Sequence, residues 1–86
     1  MDELRWNLIK SEHLKQTRGV SFKEITSEGD VVGIVSHPKR TNQKIILYLY
    51  KNYVWVVPYV DKRGYYFLKT LYPSRKLTKV YRRGGL

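Results

Sequence analysis

The sequence predicts a small α+β domain: a short N-terminal strand, two helices, a mainly antiparallel sheet of about three to four strands and a short C-terminal helix. Three observations support this fold class. Helix-capping patterns occur in the first 30 residues and again after Pro73, and residues 44–72 have the composition and alternation of β-strands. The 86-residue length fits one domain, 1–86, in which residues 84–86 are expected to form a loose tail.

The first strand and helix are predicted from their local signals. Residues 4–6 alternate in the manner of a short strand, and Asn7 is a good N-cap for a helix that spans about residues 8–18. Gly19 follows at the position where a left-handed residue commonly ends a helix. We expect His13, on this helix, to be a surface residue.

A second helix is predicted to begin at a capping box. Ser21 and Glu24 have the spacing at which the two side chains cap the first turn, and Val20 and Ile25 match the accompanying hydrophobic staple. The helix is short because Gly29 follows soon after. Residues 30–35 are expected to be extended, up to the break at 37–38.

Three runs rich in Ile, Val and Tyr predict the strands of the sheet, at residues 44–50, 53–60 and 65–72. A two-residue turn at Lys51-Asn52 pairs Tyr48 with Trp55 and places the bulky aromatic side chains on one face. The opposite face is aliphatic: Ile45, Leu47, Leu49, Val54 and Val56. We expect the aliphatic face to pack against the two helices, and the Tyr/Trp face to be partly solvated or covered by the C-terminal segment.

The register of the third run is left open by Lys69. A four-residue loop at 61–64 points Lys69 toward the aliphatic face, where a buried ammonium group is costly. Either the loop has an odd length, or Pro58 forces a bulge, or Lys69 lies where the edge of the sheet meets solvent. After Pro73, Ser74 is expected to cap a final helix over about residues 75–82.

The charge is distributed unevenly along the chain. The formal net charge is +10, yet residues 1–30 carry five Lys or Arg against six Asp or Glu, whereas residues 31–86 carry twelve against one, Asp61. A basic segment that also contains all eight tyrosines is typical of a nucleic-acid partner. The alternative is that the charge only keeps a small protein in solution.

Composition excludes several classes of chemistry. A metal-dependent nuclease needs two or three clustered carboxylates, and the basic segment offers only Asp61. The chain has no cysteine for a thiolate metal site or nucleophile, no nucleophile elbow around a serine and no glycine-rich phosphate loop. We therefore expect neither a metal ion nor a cofactor.

The sequence also predicts a location. Its longest apolar runs, residues 45–50 and 53–60, are far shorter than the roughly 20 residues that span a bilayer. The acidic N-terminus lacks the order of a secretory signal, and the absence of cysteine is usual in reducing compartments. We expect a cytoplasmic protein without a membrane partner.

Cations, hydroxyls and an imidazole support one reaction without metal: cleavage of RNA by its own 2′-hydroxyl. His37 is a candidate acid or base, and the charge on the transition state would be stabilised by Lys69, Arg75 and Lys76. Tyr59 or Tyr72 would stack on a base or relay a proton. Each has a plainer alternative, since a histidine before proline is commonly a turn residue and a basic first helical turn is commonly only solvated.

Two segments resemble a known family. Trp6-Asn7 with Lys10, followed by Lys15-Gln16-Thr17-Arg18-Gly19-Val20-Ser21-Phe22-Lys23-Glu24, is similar to the opening of BrnT-type toxins, which belong to the RelE/ParE superfamily of bacterial type II toxin-antitoxin systems. Phe67-Leu68-Lys69-Thr70-Leu71-Tyr72-Pro73-Ser74-Arg75-Lys76 resembles the strand-to-helix end of that group. The resemblance covers about residues 4–81, although the second helix is shorter than is usual in the family.

This resemblance implies a toxin that inhibits translation by cleaving mRNA, either free or on the ribosome, and that is silenced by a cognate antitoxin protein. It makes Lys69, Arg75 and Lys76 the leading catalytic candidates, beside the His37 selected above for its chemistry, and places Trp6 and Phe22 in the core. RNA contacts are expected from Tyr59, Tyr72, Ser74, Lys79, Tyr81 and Arg82. Two alternatives stay open: a non-catalytic nucleic-acid-binding module, and a toxin of the same fold that acts on a protein such as gyrase.

Overall fold

A computed structural model describes residues 3–86 and has the α+β architecture expected from the sequence. The elements follow one another as β1 (Glu3–Arg5), α1 (Leu8–Arg18), α2 (Phe22–Glu28), β2 (Asp30–Ser36), β3 (Gln43–Tyr50), β4 (Tyr53–Asp61), β5 (Tyr65–Leu68), β6 (Tyr72–Pro73) and α3 (Arg75–Arg82). The strands form one sheet in the order β1-β5-β4-β3-β2, with β6 also paired to β4.

The sheet has more strands than the three to four expected. β1 joins it parallel to β5, β2 forms the opposite edge, and the third predicted run is divided into β5 and β6. The parallel β1–β5 pair makes the sheet mixed rather than purely antiparallel. A pairing between residues about 60 positions apart has no local signature in the sequence, and for this reason it was not predicted.

Both predicted ends of α1 are confirmed. The side-chain oxygen of Asn7 accepts a hydrogen bond from the backbone N–H of Lys10 at 2.9 Å. Gly19 adopts the left-handed conformation at φ 81°, and its N–H donates to the carbonyl of Lys15. The start of α2 is also confirmed, because the Ser21 hydroxyl accepts from the N–H of Glu24 at 3.1 Å.

The hairpin of β3 and β4 has the predicted register. Tyr50 pairs with Tyr53, and Tyr48 pairs with Trp55. The turn residues Lys51 and Asn52 both have positive φ, 53° and 63°, as a two-residue turn of type I′ requires. The right-handed twist of the two strands is therefore continued through the turn.

The expected orientation of the sheet is wrong: α1 and α2 pack on the Tyr/Trp face. The helices supply few large side chains, since α1 buries only Ser11 and Leu14. Bulky groups from the sheet fill the space between the two layers at the density that protein interiors require. The resulting cluster contains Leu14, Val20, Phe22, Ile25, Ile46, Tyr48, Tyr50, Trp55, Val57, Tyr59, Leu68 and Leu71.

The aliphatic face is covered by α3 instead. Ile45, Leu47, Val54 and Val56 form a second cluster, against which the α3 residues Leu77 and Tyr81 pack. Gly84 and Gly85 were expected to belong to a loose tail, but their backbone N–H groups form hydrogen bonds with the last turn of α3. Gly84 adopts φ 78° and donates to Tyr81, and Gly85 donates to Val80.

A polar network links α2 to the end of β3. The Tyr50 hydroxyl donates to the carboxylates of Glu24, at 2.5 Å, and Glu28, at 3.0 Å. Glu24 also accepts from the Lys15 ammonium group at 2.7 Å. The hydrogen bond from Lys15, and to a smaller extent the one from Tyr50, lower the pKa of Glu24 from 4.5 to about 2. The hydrogen bond to the Glu24 carboxylate in turn raises the pKa of Tyr50.

Acid is therefore expected to weaken the fold through Glu24. Because the pKa of Glu24 is lower in the folded than in the unfolded chain, its stabilising contribution is complete above about pH 4.5 and is lost as the pH falls toward 2. We expect a loss on the order of 1–2 kcal/mol in the free energy of unfolding, discounted for the half-exposed Lys15.

Urea denaturation of the wild type and of Glu24→Gln, measured between pH 6 and pH 3, checks this expectation. The glutamine variant should be less stable at pH 6 and should show a smaller decline toward pH 3. Glu12→Gln, on the exposed surface of α1, is the matched control. Parallel pH profiles for the wild type and Glu24→Gln would contradict the assignment.

Candidate nucleic-acid interface

A bulge between β5 and β6 determines where Lys69 lies. Four residue steps separate Leu68 from Tyr72, but only three separate their partners in β4, Tyr59 and Val56. One extra residue is thus accommodated at 69–71, and the chain leaves the regular ladder there. Lys69, at the start of the bulge, is exposed to solvent, while Leu71 turns into the core and is completely buried.

Pro58 accounts for the position of this bulge. The backbone N–H of Lys69 donates to the carbonyl of Pro58 at 2.9 Å, but proline has no N–H with which to return the second hydrogen bond of the pair. The turn between β4 and β5 has an even number of residues, and the backbone N–H of Lys62 donates a hydrogen bond to the carbonyl of Tyr65 across it. Of the alternatives left open for Lys69, the bulge and the exposed position therefore both apply, and the odd-length loop is wrong.

The bulge forms one wall of an open groove of about 370 Å³, which we call the loop groove. The loop between β2 and β3 forms the opposite wall, and Pro58 of β4 contributes to its floor. Its polar and aromatic lining residues are His37, Lys39, Arg40, Gln43, Lys69, Thr70 and Tyr72. Three cations and an imidazole therefore converge on one concave surface, the arrangement that suits a phosphate group.

His37 holds the loop and presents one ring nitrogen. Its Nδ1 accepts hydrogen bonds from the backbone N–H groups of Lys39 at 3.1 Å and Arg40 at 3.2 Å. The backbone N–H of His37 donates to the carbonyl of Gln43 at 3.1 Å. With Nδ1 acting as an acceptor, the ring proton of the neutral form lies on Nε2, which is the nitrogen left to donate to a ligand. His37 thus has the turn role given as the plainer alternative, and it also lines the groove.

Tyr72 provides an exposed aromatic ring beside the groove. The residue is 40% exposed, and the Arg18 guanidinium carbon lies 6.0 Å from the ring centroid. Arg18 also donates a hydrogen bond to the carbonyl of Leu71, which holds the end of the bulge against α1. Arg18 was not predicted at this site, because no local sequence pattern indicates a contact with a residue 53 positions away.

Tyr59 and Tyr81 are packing residues in the structure. Tyr59 is only 2% exposed, and its ring lies 4.5 Å from that of Tyr66, measured between centroids. It is not available to stack on a base, because α1 and α2 cover that face of the sheet. Burial raises its pKa. Tyr81 packs on the aliphatic cluster beneath α3.

The predicted residues of α3 do not line the loop groove. Ser74 caps the helix, with its hydroxyl accepting from Leu77 N–H at 3.1 Å. Arg82 donates to the carbonyl of Asn52, in the turn at the far end of β3 and β4. The remaining cations are exposed on the helix surface: Arg75, Lys76 and Lys79. Of the four catalytic candidates, the structure therefore brings His37 and Lys69 together and leaves Arg75 and Lys76 outside the groove.

Lys39, Arg40 and Gln43 were missed by the sequence analysis. The only signal for them was the pair of adjacent cations immediately after His37-Pro38. Their placement depends on the loop closing through Gln43 N–H and the Arg40 carbonyl, at 3.3 Å.

Within residues 3–86, no three His, Cys, Asp or Glu side chains are grouped so as to hold a metal ion. Over the same residues, no helix has both the length and the apolar character needed to cross a membrane. Comparison of the chain with protein-family models, with curated proteins and with solved structures gives no match.

Proposed function

We propose that the protein is a toxin of a bacterial type II toxin-antitoxin system, a BrnT-like member of the RelE/ParE superfamily, which cleaves mRNA in the cytoplasm and thereby inhibits translation. The observation that carries the proposal is the loop groove, in which His37, Lys69 and Tyr72 line one concave surface although His37 lies far from the other two in the sequence. The motif resemblance around residues 6–24 and 67–76 supports the family assignment.

The proposed reaction needs no metal ion. The 2′ oxygen of a ribose attacks the adjacent phosphorus and loses its proton, the bond from phosphorus to the 5′ oxygen breaks, and the 5′ oxygen takes up a proton. The products are a 2′,3′-cyclic phosphate and a 5′-hydroxyl. Lys69 and Arg40, which line the same groove, would stabilise the negative charge that builds up on the phosphoryl oxygens.

His37 and Tyr72 would orient the substrate in this groove. In the neutral ring, the Nε2–H of His37 would donate to a phosphoryl oxygen. To protonate the leaving 5′ oxygen the ring must be charged, and Nδ1 must then release the hydrogen bonds from the N–H groups of Lys39 and Arg40. The exposed ring of Tyr72 offers a platform for the adjoining base. Arg75 and Lys76 do not line the groove; they lie in the first turn of α3, shortly after Tyr72, and would contact the flanking phosphates.

A second function, binding of nucleic acid without cleavage, is favoured by one observation. No carboxylate lines the loop groove among the described residues, and Nδ1 of His37 already accepts two hydrogen bonds. A group to take the 2′ proton is therefore not supplied by the walls of the groove. Binding of RNA without scission would identify this function.

The proposed partner is an antitoxin with an acidic segment. A toxin with a net charge of +10 would be silenced by opposite charge over its basic loop groove, together with an aromatic anchor. Such a complex should weaken steeply as salt is raised. An affinity that barely changes between low and physiological salt would count against an electrostatic interface.

Controlled expression in a bacterial host, with total RNA mapped by primer extension shortly after induction, tests the proposed function. Wild type should produce discrete new 5′ ends within coding regions, and Lys69→Ala/Arg75→Ala should abolish them. The double variant Lys51→Ala/Arg83→Ala removes the same charges from exposed positions outside the groove and should leave the cleavage unchanged.

The other outcomes identify the other functions. Intact RNA with arrested growth would contradict the ribonuclease and indicate a protein target such as gyrase. Intact RNA with normal growth would leave the non-catalytic binding module. Equal toxicity of the wild type and Lys69→Ala/Arg75→Ala would remove these two residues from the site.

A further inference from the structure

A second groove adjoins the loop groove on the other side of Lys69. It lies between the N-terminal half of α1 and the end of β5, has a volume of about 520 Å³, and is called here the helix groove. Lys69 lines both grooves. A ligand that follows the surface from one groove into the other must therefore pass the Lys69 ammonium group.

The helix groove is basic on one wall. Lys10 and His13 line it from α1, where the separation of three residues places them on the same face of the helix. Among the described residues, no Asp or Glu lines this groove. The first turn of α1 also contains no acidic residue to offset the partial positive charge of the helix N-terminus. An anion in this groove would meet only favourable charges from its walls.

The other wall offers apolar contacts at the same place. Phe67 lines the groove and is half-buried, with the Lys69 ammonium nitrogen 5.5 Å from its ring centroid. Ile9 lines it as well and is 80% exposed, which folding of this chain does not explain. An aromatic ring and an exposed aliphatic side chain between cations match the requirements of an unstacked base flanked by phosphates.

We propose that the helix groove is a second nucleotide subsite, so that single-stranded RNA lies across Lys69 with adjoining nucleotides in the two grooves. This inference rests on the nucleic-acid substrate of the proposed function and names its form: a single strand longer than a dinucleotide. In an RNA strand, each nucleotide contributes one phosphate and one base. The two grooves match this repeat, because each contains cations and an apolar or aromatic side chain, and Lys69 is shared between them. A duplex would leave the Phe67 and Tyr72 rings without unstacked bases.

Fluorescence anisotropy with 2′-O-methyl hexauridine and 2′-O-methyl diuridine tests the subsite, because neither probe can be cleaved through its 2′ oxygen. Lys10→Ala/His13→Ala should weaken hexauridine binding about tenfold or more and should leave diuridine binding unchanged, since the dinucleotide fits within the loop groove. The slope of log K against log salt for hexauridine should become shallower by roughly one charge. Lys23→Ala, an exposed lysine of α2 outside both grooves, is the matched control and should match the wild type.

Each outcome decides between named possibilities. Equal hexauridine affinity in wild type and Lys10→Ala/His13→Ala, or an equal loss with both probes, would overturn the subsite, as would a wild type that binds neither probe. If the double variant instead loses affinity only for an oligoglutamate peptide, the groove receives an acidic protein. Length-dependent RNA binding without cleavage in cells would overturn the ribonuclease and retain the subsite. Because Lys10 and His13 are exposed, thermal denaturation should show an unchanged fold.

Discussion

In the proposed reaction, replacing Lys69 with alanine is expected to lower the rate of RNA cleavage by about 100-fold or more, the usual cost of removing a group that stabilises charge in the transition state. The reason is its position: the bulge opposite Pro58 presents the ammonium group to both grooves and leaves it exposed. Single-turnover cleavage of a single-stranded RNA by purified protein measures the effect directly.

Two further variants distinguish the effect of the charge at position 69 from the effect of removing any exposed lysine. Lys69→Arg retains the charge but changes its geometry, so its rate should lie between those of the wild type and Lys69→Ala. Lys23→Ala removes an exposed lysine outside both grooves and should cleave at the wild-type rate. A Lys69→Ala protein that cleaves as fast as the wild type would exclude Lys69 from the reaction. Since the side chain is exposed, the melting temperature should not change appreciably.

Replacing Thr78 with valine is expected to lower the free energy of unfolding by about 1–3 kcal/mol. Thr78 is 2% exposed, and its hydroxyl accepts a hydrogen bond from the backbone N–H of Val54 at 2.9 Å while it donates to the carbonyl of Ser74 at 2.6 Å. Valine has nearly the same shape, so the substitution leaves the N–H of a buried strand residue without a partner rather than creating a cavity. It also removes one of two hydrogen bonds between the start of α3 and Val54 of β4, the other being from the Ser74 N–H to the Val54 carbonyl.

Thr26→Val is the matched control for this substitution. Its hydroxyl donates to the carbonyl of Phe22, one turn earlier in α2, just as Thr78 donates to Ser74, but it accepts no hydrogen bond from a strand. Urea denaturation should therefore show a much smaller change for Thr26→Val than for Thr78→Val. Equal losses in the two variants would mean that the Val54 hydrogen bond contributes little to the attachment of α3.

The helices and the central hairpin could be predicted because their signals are local. Asn7 and Gly19 lie next to the helix that they bound, and Ser21 bonds a group three residues away. The turn at residues 51 and 52 is flanked at once by the strands whose register it determines. Each of these interactions closes a short loop of chain, so its partners are visible in one window of sequence.

The candidate site could be predicted only in part. His37, Lys69 and Tyr72 were selected for their chemistry, and the structure places them around one groove. Tyr59 was selected on the same grounds and is buried, since the side of the sheet on which the helices pack was assigned incorrectly. Arg18 was not selected, because its contact with the 71–72 segment is made across most of the chain.

By itself, the sequence determined the class of the fold, the ends of the helices, the hairpin register and the concentration of positive charge after residue 30. Only the tertiary structure decided which face of the sheet the helices cover and which cations meet. The physical reason is that both faces of β3 and β4 are apolar. The alternation of side chains therefore identifies the two faces but does not show which of them the helices α1 and α2 cover. Which face α1 and α2 cover depends on the volume that their own side chains leave to be filled. The position of Lys69 in the same groove as His37 depends likewise on Pro58, which has no N–H to donate to β5. The effect of this missing N–H appears only when β5 pairs with β4.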